Sequence, residues 1–392
     1  MPSDALSAWK KRLHDGLRSL EQRNQRRSLA ELHGANFCSN DYLGLAEHPV
    51  LRERVTEAVQ RAEKIGGTGS RLLSGHTEAW SGLEETFAEF VGTESALFFT
   101  SGYAANAGLL SALVCKDDVI FSDALNHASL IDGMRLSGAR RVIYPHLDLN
   151  ALEDALRQER DAPWRKLIVT ESVFSVDGDI APLAEIADLA EKYNAALILD
   201  EAHATAVHGP TGRGLACAAG LTQRLLAVVH TCGKALASAG AFVCGPAVLK
   251  EHLVNCARTF IYSTALPPYM VEQIAAALKL AEGMDRERGA LLARARGLRD
   301  SLRAEGFETG KSDSQIVPVV LGSNEATLDA AEHLQREGFA VRGIRPPTVP
   351  PGGARLRLSL TARVAETELA RLAETLVAWR SHQTMQVAAR HA

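Results

Sequence analysis

The sequence predicts an α/β fold: a large domain built on a mainly parallel sheet, followed by a smaller α+β C-terminal domain. Three observations carry this. From about residue 46 to 285, short β-branched or apolar runs alternate with helix-like segments, the pattern of a parallel sheet covered on both faces. Several of these runs stop abruptly in polar residues, as at Asp200 and Thr231, which marks buried strands delivering side chains to one end of a sheet. Beyond residues 270–303, rich in Ala, Leu and Arg, the pattern resets. A chain of 392 residues is too long for one compact core. We expect an N-terminal segment 1–45, a large domain 46–285 and a small domain 286–392.

The elements follow in order. Residues 4–29 read as a polar helix, with Trp9, Leu13, Leu17 and Leu20 at helical spacing. Residues 36–45 form a short strand and turn. Strands are expected at 96–99, 119–122, 142–144, 167–170, 197–199, 227–230 and 241–244, with helices between most of them, such as 104–114 and 183–193. Residues 270–303 make one long helix or two joined ones. In the small domain, 316–321 and 355–359 read as strands, and 326–337 and 366–380 as helices.

Composition narrows the function. A net charge of −4 gives no support to a nucleic-acid or anionic-membrane partner. The six cysteines are scattered without a CxxC pair, so reduced thiols are expected, with neither a disulfide frame nor a metal site. The first residues lack a basic start followed by an apolar core, and no apolar run approaches a bilayer span. A cytoplasmic enzyme is the expectation.

The chemistry-bearing residues cluster between Asp200 and Lys234. Asp200 ends the run Leu197-Ile198-Leu199, and His203 lies three residues on. Lys234 closes Val228-Val229-His230-Thr231-Cys232-Gly233-Lys234. Singly, the Asp is as readily a helix cap and the Lys a surface residue. Together they suit pyridoxal phosphate: a Lys for a Schiff base, an Asp for a pyridinium proton, a His to orient the ring. Ser101-Gly102-Tyr103 opens a helix after a strand, where free N–H groups bind phosphate, or is a plain turn. His127 follows another strand, either solvated or stacked on a ring. Arg355 and Arg357 alternate onto one strand face, suited to a carboxylate or merely charged. Asn40 and Thr348 are polar loop residues able to complete such a site.

Two strings point elsewhere. Asp200-Glu201-Ala202-His203 matches an acidic motif of helicases, and Gly306-Phe307-Glu308-Thr309-Gly310-Lys311-Ser312 looks like a phosphate loop. A true loop has four residues between the first Gly and the Gly-Lys pair; here there are three, and the order of the two motifs is reversed. A surface turn after a helix is the simpler reading.

With these residues in view, the chain resembles the α-oxoamine synthase family of fold type I pyridoxal-phosphate enzymes, from about Asn40 to Thr361. The resemblance rests on Ser39-Asn40-Asp41-Tyr42-Leu43-Gly44-Leu45, Gly66-Gly67-Thr68-Gly69-Ser70-Arg71, Ser74-Gly75-His76 and Thr170-Glu171-Ser172-Val173-Phe174-Ser175-Val176-Asp177-Gly178-Asp179. Within the family, Tyr262-Ser263-Thr264-Ala265-Leu266-Pro267-Pro268 and Ile344-Arg345-Pro346-Pro347-Thr348-Val349-Pro350 resemble the biotin-pathway branch. The resemblance implies an aspartate-aminotransferase-like fold and an acyltransferase that condenses L-alanine with a pimeloyl thioester, carried on coenzyme A or acyl carrier protein. Sister branches use glycine or serine and usually lack the Arg-Pro-Pro-Thr-Val-Pro string. A non-catalytic scaffolding subunit would lack the Schiff-base Lys.

The resemblance also implies roles. Lys234 holds pyridoxal 5′-phosphate, Asp200 pairs with its pyridine nitrogen, and His203 and Ser175 lie near its phenolic oxygen. His127 stacks on the ring and serves the acyl carbonyl. Gly102, Tyr103 and Thr231 hold the phosphate, with Thr264 reaching a neighbouring subunit's phosphate in a homodimer. Arg357 and Asn40 take the amino acid's carboxylate, and Thr348 and Arg27 the acyl substrate. The cluster Arg23, Arg26 and Arg27 either receives a phosphopantetheine carrier or is a solvated face.

Overall fold

The computed structural model describes residues 4–391. A seven-stranded sheet organises the larger part of the chain. Its strands are β1 (Ser95–Phe99), β2 (Val119–Asp123), β3 (Arg140–Tyr144), β4 (Lys166–Glu171), β5 (Ala195–Asp200), β6 (Ala227–Thr231) and β7 (Ala241–Gly245). Their spatial order is β3-β2-β4-β5-β6-β7-β1. Neighbours are parallel except β7, which runs against both β6 and β1. The exception has a physical cause. Only residues 232–240 join β6 to β7, too short for the crossover that a parallel return needs.

Alternation along the strands sorts the core into two layers. Ile120, Val169, Ile198 and Val229 face one side and pack with Leu109 and Leu130. Val119, Phe121, Ile168, Leu197 and Leu199 face the other and pack with Leu183 and Ile186. Both faces are covered by helices, as the unbroken apolar runs require.

A second sheet has three antiparallel strands, β8 (Ile316–Gly322), β9 (Gly343–Ile344) and β10 (Ala354–Ser359), in the order β9-β10-β8. A two-residue strand, Ala35–Asn36, pairs with Phe339–Ala340 and ties the N-terminal segment to this end of the molecule. The largest apolar cluster runs from Phe87 and Phe242 beside the central sheet to Leu298, Leu334 and Leu356 beside the small one.

One helix boundary departs from expectation. The first helix, α1 (Asp4–Gln22), stops short of residue 29. Asn24 takes a left-handed conformation, φ 54°, and the Gln25 N–H turns back to the Leu20 carbonyl, a helix-ending geometry that Asn tolerates. Its apolar stripe, Leu6, Trp9, Leu13 and Leu17, is exposed. The long stretch after residue 270 is two helices, Met270–Glu282 and Asp285–Ala304, parted at Gly283 and Met284. Among the described residues, no helix is long and apolar enough to cross a membrane.

Candidate active site

Strands β2, β4, β5 and β6 end side by side in Asp123, Glu171, Asp200 and Thr231, and the site forms at these C-terminal ends, as in other open α/β sheets. Register places Glu171 beside Asp200. Two further helices bring the remaining groups, α2 (Gly102–Leu113) after β1 and α3 (Ala128–Ser137) after β2. They approach closely because Gly133 has no side chain. A Cβ there would lie 2.9 Å from the Asn106 carbonyl oxygen and 3.0 Å from Leu110 Cβ.

A cavity of about 190 Å³ opens at this point, lined by Gly102, Tyr103, Asn106, His127, Ser129, Glu171, Asp200, Ala202, His203, Val229, Thr231 and Lys234. Asp200 is buried. Its Oδ2 accepts from Asn106 Nδ2 at 2.6 Å, and its Oδ1 from the Ala202 N–H at 2.8 Å. Asn106 also donates to Ser129 Oγ at 2.9 Å, and Ser129 Oγ lies 2.7 Å from His127 Nδ1. The Glu171 carboxylate accepts the His127 N–H at 2.6 Å. Burial, then the charge of Asp200, pushes Glu171 well above the usual carboxylate range.

Lys234 sits in the tight connection between β6 and β7. Its amine is 2.8 Å from His203 Nε2, and His203 Nδ1 is 2.6 Å from the hydroxyl of fully buried Tyr42. Tyr42 donates to Asn40 Oδ1 at 3.1 Å, which also accepts from Arg357 Nη2 at 3.1 Å. A chain of polar contacts thus joins the lysine amine to a guanidinium. Burial, then the charge of Lys234, holds His203 well below the ordinary imidazole value, so it is neutral. With the Lys234 ammonium donating to Nε2, the neutral ring donates from Nδ1 to Tyr42. Burial, opposed by Asp200 and Glu171, pulls Lys234 down to about 8.

The chemistry of this donor set fits pyridoxal phosphate: a depressed amine, a fixed carboxylate, and a helix N-terminus beside a hydroxyl. Ser101 caps α2, its Oγ accepting from the Ala104 N–H at 3.0 Å. The neighbouring N–H groups of that first turn are the ones free for an anion. The turn sits against Thr231, whose Oγ1 would make ordinary contact, at 3.5 Å, with a Cβ at position 102.

Comparison with known proteins bears on the same site. The family model for aminotransferase class I and II matches residues 33–376. The chain belongs to this family, among the 8-amino-7-oxononanoate synthases. It is 48% identical over 337 residues to a relative of that name from Geobacter sulfurreducens, covering 86% of each chain. A relative of the same name from Burkholderia vietnamiensis is 47% identical, covering 87% of this chain and 86% of the other. Among solved structures, serine palmitoyltransferase from S. paucimobilis with a bound PLP–myriocin aldimine superposes with a TM-score of 0.87 at 29% identity, covering 96% and 98% of the two chains. The 8-amino-7-oxononanoate synthase from Francisella tularensis superposes at 0.78 with 30% identity, covering 90% and 99%. The resemblance read from the sequence is borne out, and with it the fold type I architecture, the acyltransferase class and the pyridoxal-phosphate cofactor.

Of the residues named from sequence, the structure gathers Gly102, Tyr103, His127, Asp200, His203, Thr231 and Lys234 around one cavity. Asn40, Ser175 and Arg357 form an adjoining group, Arg357 Nε donating to the Ser175 carbonyl at 2.5 Å. Thr348 lines a separate cavity of about 750 Å³, together with Arg23, Ser175 and the 346–351 loop. Arg27 is exposed and outside that lining. Thr264 is exposed on a loop that bridges to Ser70. Sequence reading missed Tyr42, Asn106, Ser129 and Glu171. Glu171 carried a usable signal, since it ends an apolar strand just as Asp200 does.

Proposed function

We propose that this chain joins L-alanine to a pimeloyl thioester, forming 8-amino-7-oxononanoate with release of carbon dioxide and the free thiol, in the cytoplasm. The observation that carries the reading is the run of contacts from Lys234 through His203, Tyr42 and Asn40 to Arg357. It sets an amine that gives up its proton readily beside a guanidinium that can hold a substrate carboxylate. Pyridoxal phosphate supplies, when bound, an aldehyde that takes amines covalently and a pyridinium ring that accepts an electron pair.

In this reading Lys234 anchors the cofactor between turnovers. With the amino acid bound, the Lys234 amine would remove and return the proton at the substrate Cα. Asp200 keeps the pyridine nitrogen protonated, and Asn106 and the Ala202 N–H keep Asp200 aimed. His203 and Ser175 serve the phenolic oxygen. His127 stacks on the ring; its Nδ1 is engaged by Ser129, so Nε2 is the nitrogen left to donate toward the acyl carbonyl as charge develops. Gly102, Tyr103 and Thr231 hold the phosphate, and Thr264 of a second copy completes it in a homodimer.

Arg357, with Asn40, grips the carboxylate of L-alanine. Holding the carboxylate fixes how the groups on Cα are presented, so that with the cofactor bound the Cα proton would be the one offered to Lys234. Loosening that grip after acyl transfer lets carbon dioxide leave. Thr348 and Arg27 serve the acyl chain, and Arg23 joins Thr348 on the cavity wall. Arg23, Arg26 and Arg27 are all exposed, suited to the phosphates of coenzyme A or of a carrier protein's phosphopantetheine.

The test is to give the cofactor-loaded enzyme pimeloyl thioester with alanine, glycine or serine in turn and to weigh the products. Alanine is expected to yield the decarboxylated condensation product at the highest kcat/KM. Preference for glycine, or no product mass with alanine, would overturn the assignment.

A further inference from the structure

His146 lies outside the cavity and has no part in the reading above, yet it is held by two carboxylates. Its Nδ1 is 2.9 Å from Asp123 Oδ1 and its Nε2 3.2 Å from Asp179 Oδ2, with the edge of the ring against Phe174. Asp123 ends β2 and also accepts the N–H groups of Leu125 and Leu147, at 2.8 and 2.9 Å. That anchor is therefore rigid. Asp179 belongs to a hairpin, residues 173–180, closed by the Val173–Ile180 bridge and by the Phe174 N–H to the Asp179 carbonyl at 3.0 Å.

The hairpin is a bridge between the two sheets. Its Ser175 carbonyl accepts from Arg357 Nε at 2.5 Å, and its Asp177 carboxylate pairs with Arg355, both arginines on β10. Gly178, at φ 70°, rests on the start of β8: a Cβ there would meet the Ile316 carbonyl oxygen at 2.3 Å. Beyond the main-chain tie of Ser172 N–H to the Asp200 carbonyl at 2.9 Å, the His146 imidazole adds a side-chain tie between this segment and the central sheet. Only the protonated ring donates from both nitrogens. The hydrogen bonds and charges of Asp123 and Asp179 outweigh partial burial and raise its pKa to about 9.

We infer that His146 is a positioning residue: bridging Asp123 and Asp179, it fixes the 173–180 hairpin, whose Asp177 holds Arg355 and whose Ser175 sets Arg357 for the amino acid's carboxylate. The inference rests on the reading of Arg357 given above. The hairpin also walls the Thr348 cavity through Phe174, Ser175, Val176 and Asp177, so the same clamp borders both substrates.

The experiment compares His146→Asn, Asp179→Asn and Arg357→Lys in the cofactor-loaded enzyme, with thermal unfolding as the folding control. His146→Asn is expected to raise the KM for alanine roughly tenfold while kcat changes by less than about threefold, because binding geometry is lost and the reacting groups stay in place. An unchanged alanine KM in a folded His146→Asn enzyme overturns the inference, as does a loss of thermal stability with no change in KM. Should His146→Asn fail to fold, Asp179→Asn decides by the same criteria, since it loosens the hairpin and leaves the Asp123 contact. If Arg357→Lys itself leaves the alanine KM unchanged, the carboxylate reading has failed and the inference falls with it. If Arg357→Lys raises KM and neither other variant does, only the inference about His146 has failed.

Discussion

A lysine amine acts as a base or a nucleophile only after losing its proton, and the surroundings of Lys234 favour that loss. Burial disfavours the ammonium, while Asp200 and Glu171 pull the other way, and the outcome is a value near 8. The sign is simple: below about 8 the amine is charged and inert, above it free to react. Cofactor-free enzyme should therefore capture pyridoxal phosphate faster as pH rises through about 8 and level off beyond, followed by the absorbance of the bound cofactor. A rate flat across that range would mean that burial does not tune this amine. Lys234→Ala should lower turnover by about a hundredfold to ten-thousandfold, the range expected when a proton-transfer group is deleted. Borohydride-reduced variant should carry no cofactor adduct by mass spectrometry; an adduct elsewhere would move the assignment to another lysine.

At the element scale, the strand end that carries Asp200 is itself held in place. Immediately after β5, buried Glu201 accepts the N–H groups of Leu215 and Ala216 at 2.7 and 2.9 Å, tying the strand end to the helix Leu215–Ala218. Gly214, at φ 101°, makes room for it: a Cβ at that position would lie 1.7 Å from Glu201 Oε2. Gly214→Ala combines a left-handed backbone with an overpacked carboxylate and should cost roughly 2–4 kcal/mol. Urea unfolding measures it, and a change under about 0.5 kcal/mol, the size of an ordinary surface substitution, would show that the junction yields freely. This element scale is also where sequence was most and least informative. Lys234, Asp200 and His203 stood out because apolar runs stopped short beside them, a local mark of strand ends. The reversal of β7 was legible in principle from its short connection. Tyr42 and Asn106 left no such mark, since each meets its partner across 161 and 94 residues of chain, and only helix and strand packing brings them together. α1 was legible as a helix but its end was not: Asn24 stops it at Gln22, short of residue 29.

At the scale of the whole molecule, the loop carrying Thr264 is the part that a single chain leaves unexplained. Glycines 67 and 75 let the 66–76 segment close on it: a Cβ at either would come within 2.5 Å of Ala265 atoms. The two segments are thus firmly packed, yet Leu72, Leu73 and Tyr262 on them, and Ile65 beside them, stay exposed, Leu73 by 86%. Ordered apolar surface of this kind is what protein interfaces are made from, and we assign it to a second copy of the chain, whose phosphate site Thr264 would then enter. The assignment can be tested by complementation. A Thr264→Asp chain places a negative charge against the phosphate it serves, and a Lys234→Ala chain lacks the essential amine. If Thr264 serves the other subunit, a mixed dimer contains one site with native Lys234 and a native Thr264, and one site with neither. The isolated mixed dimer should recover about half the activity of the native dimer, because a two-fold dimer carries two equivalent sites. If Thr264 serves its own chain, the charge sits in the same site as the intact Lys234, and mixing restores nothing beyond the activity of the Thr264→Asp chain. Activity of the mixed dimer no higher than its two parents would therefore place Thr264 within its own subunit and remove the shared site.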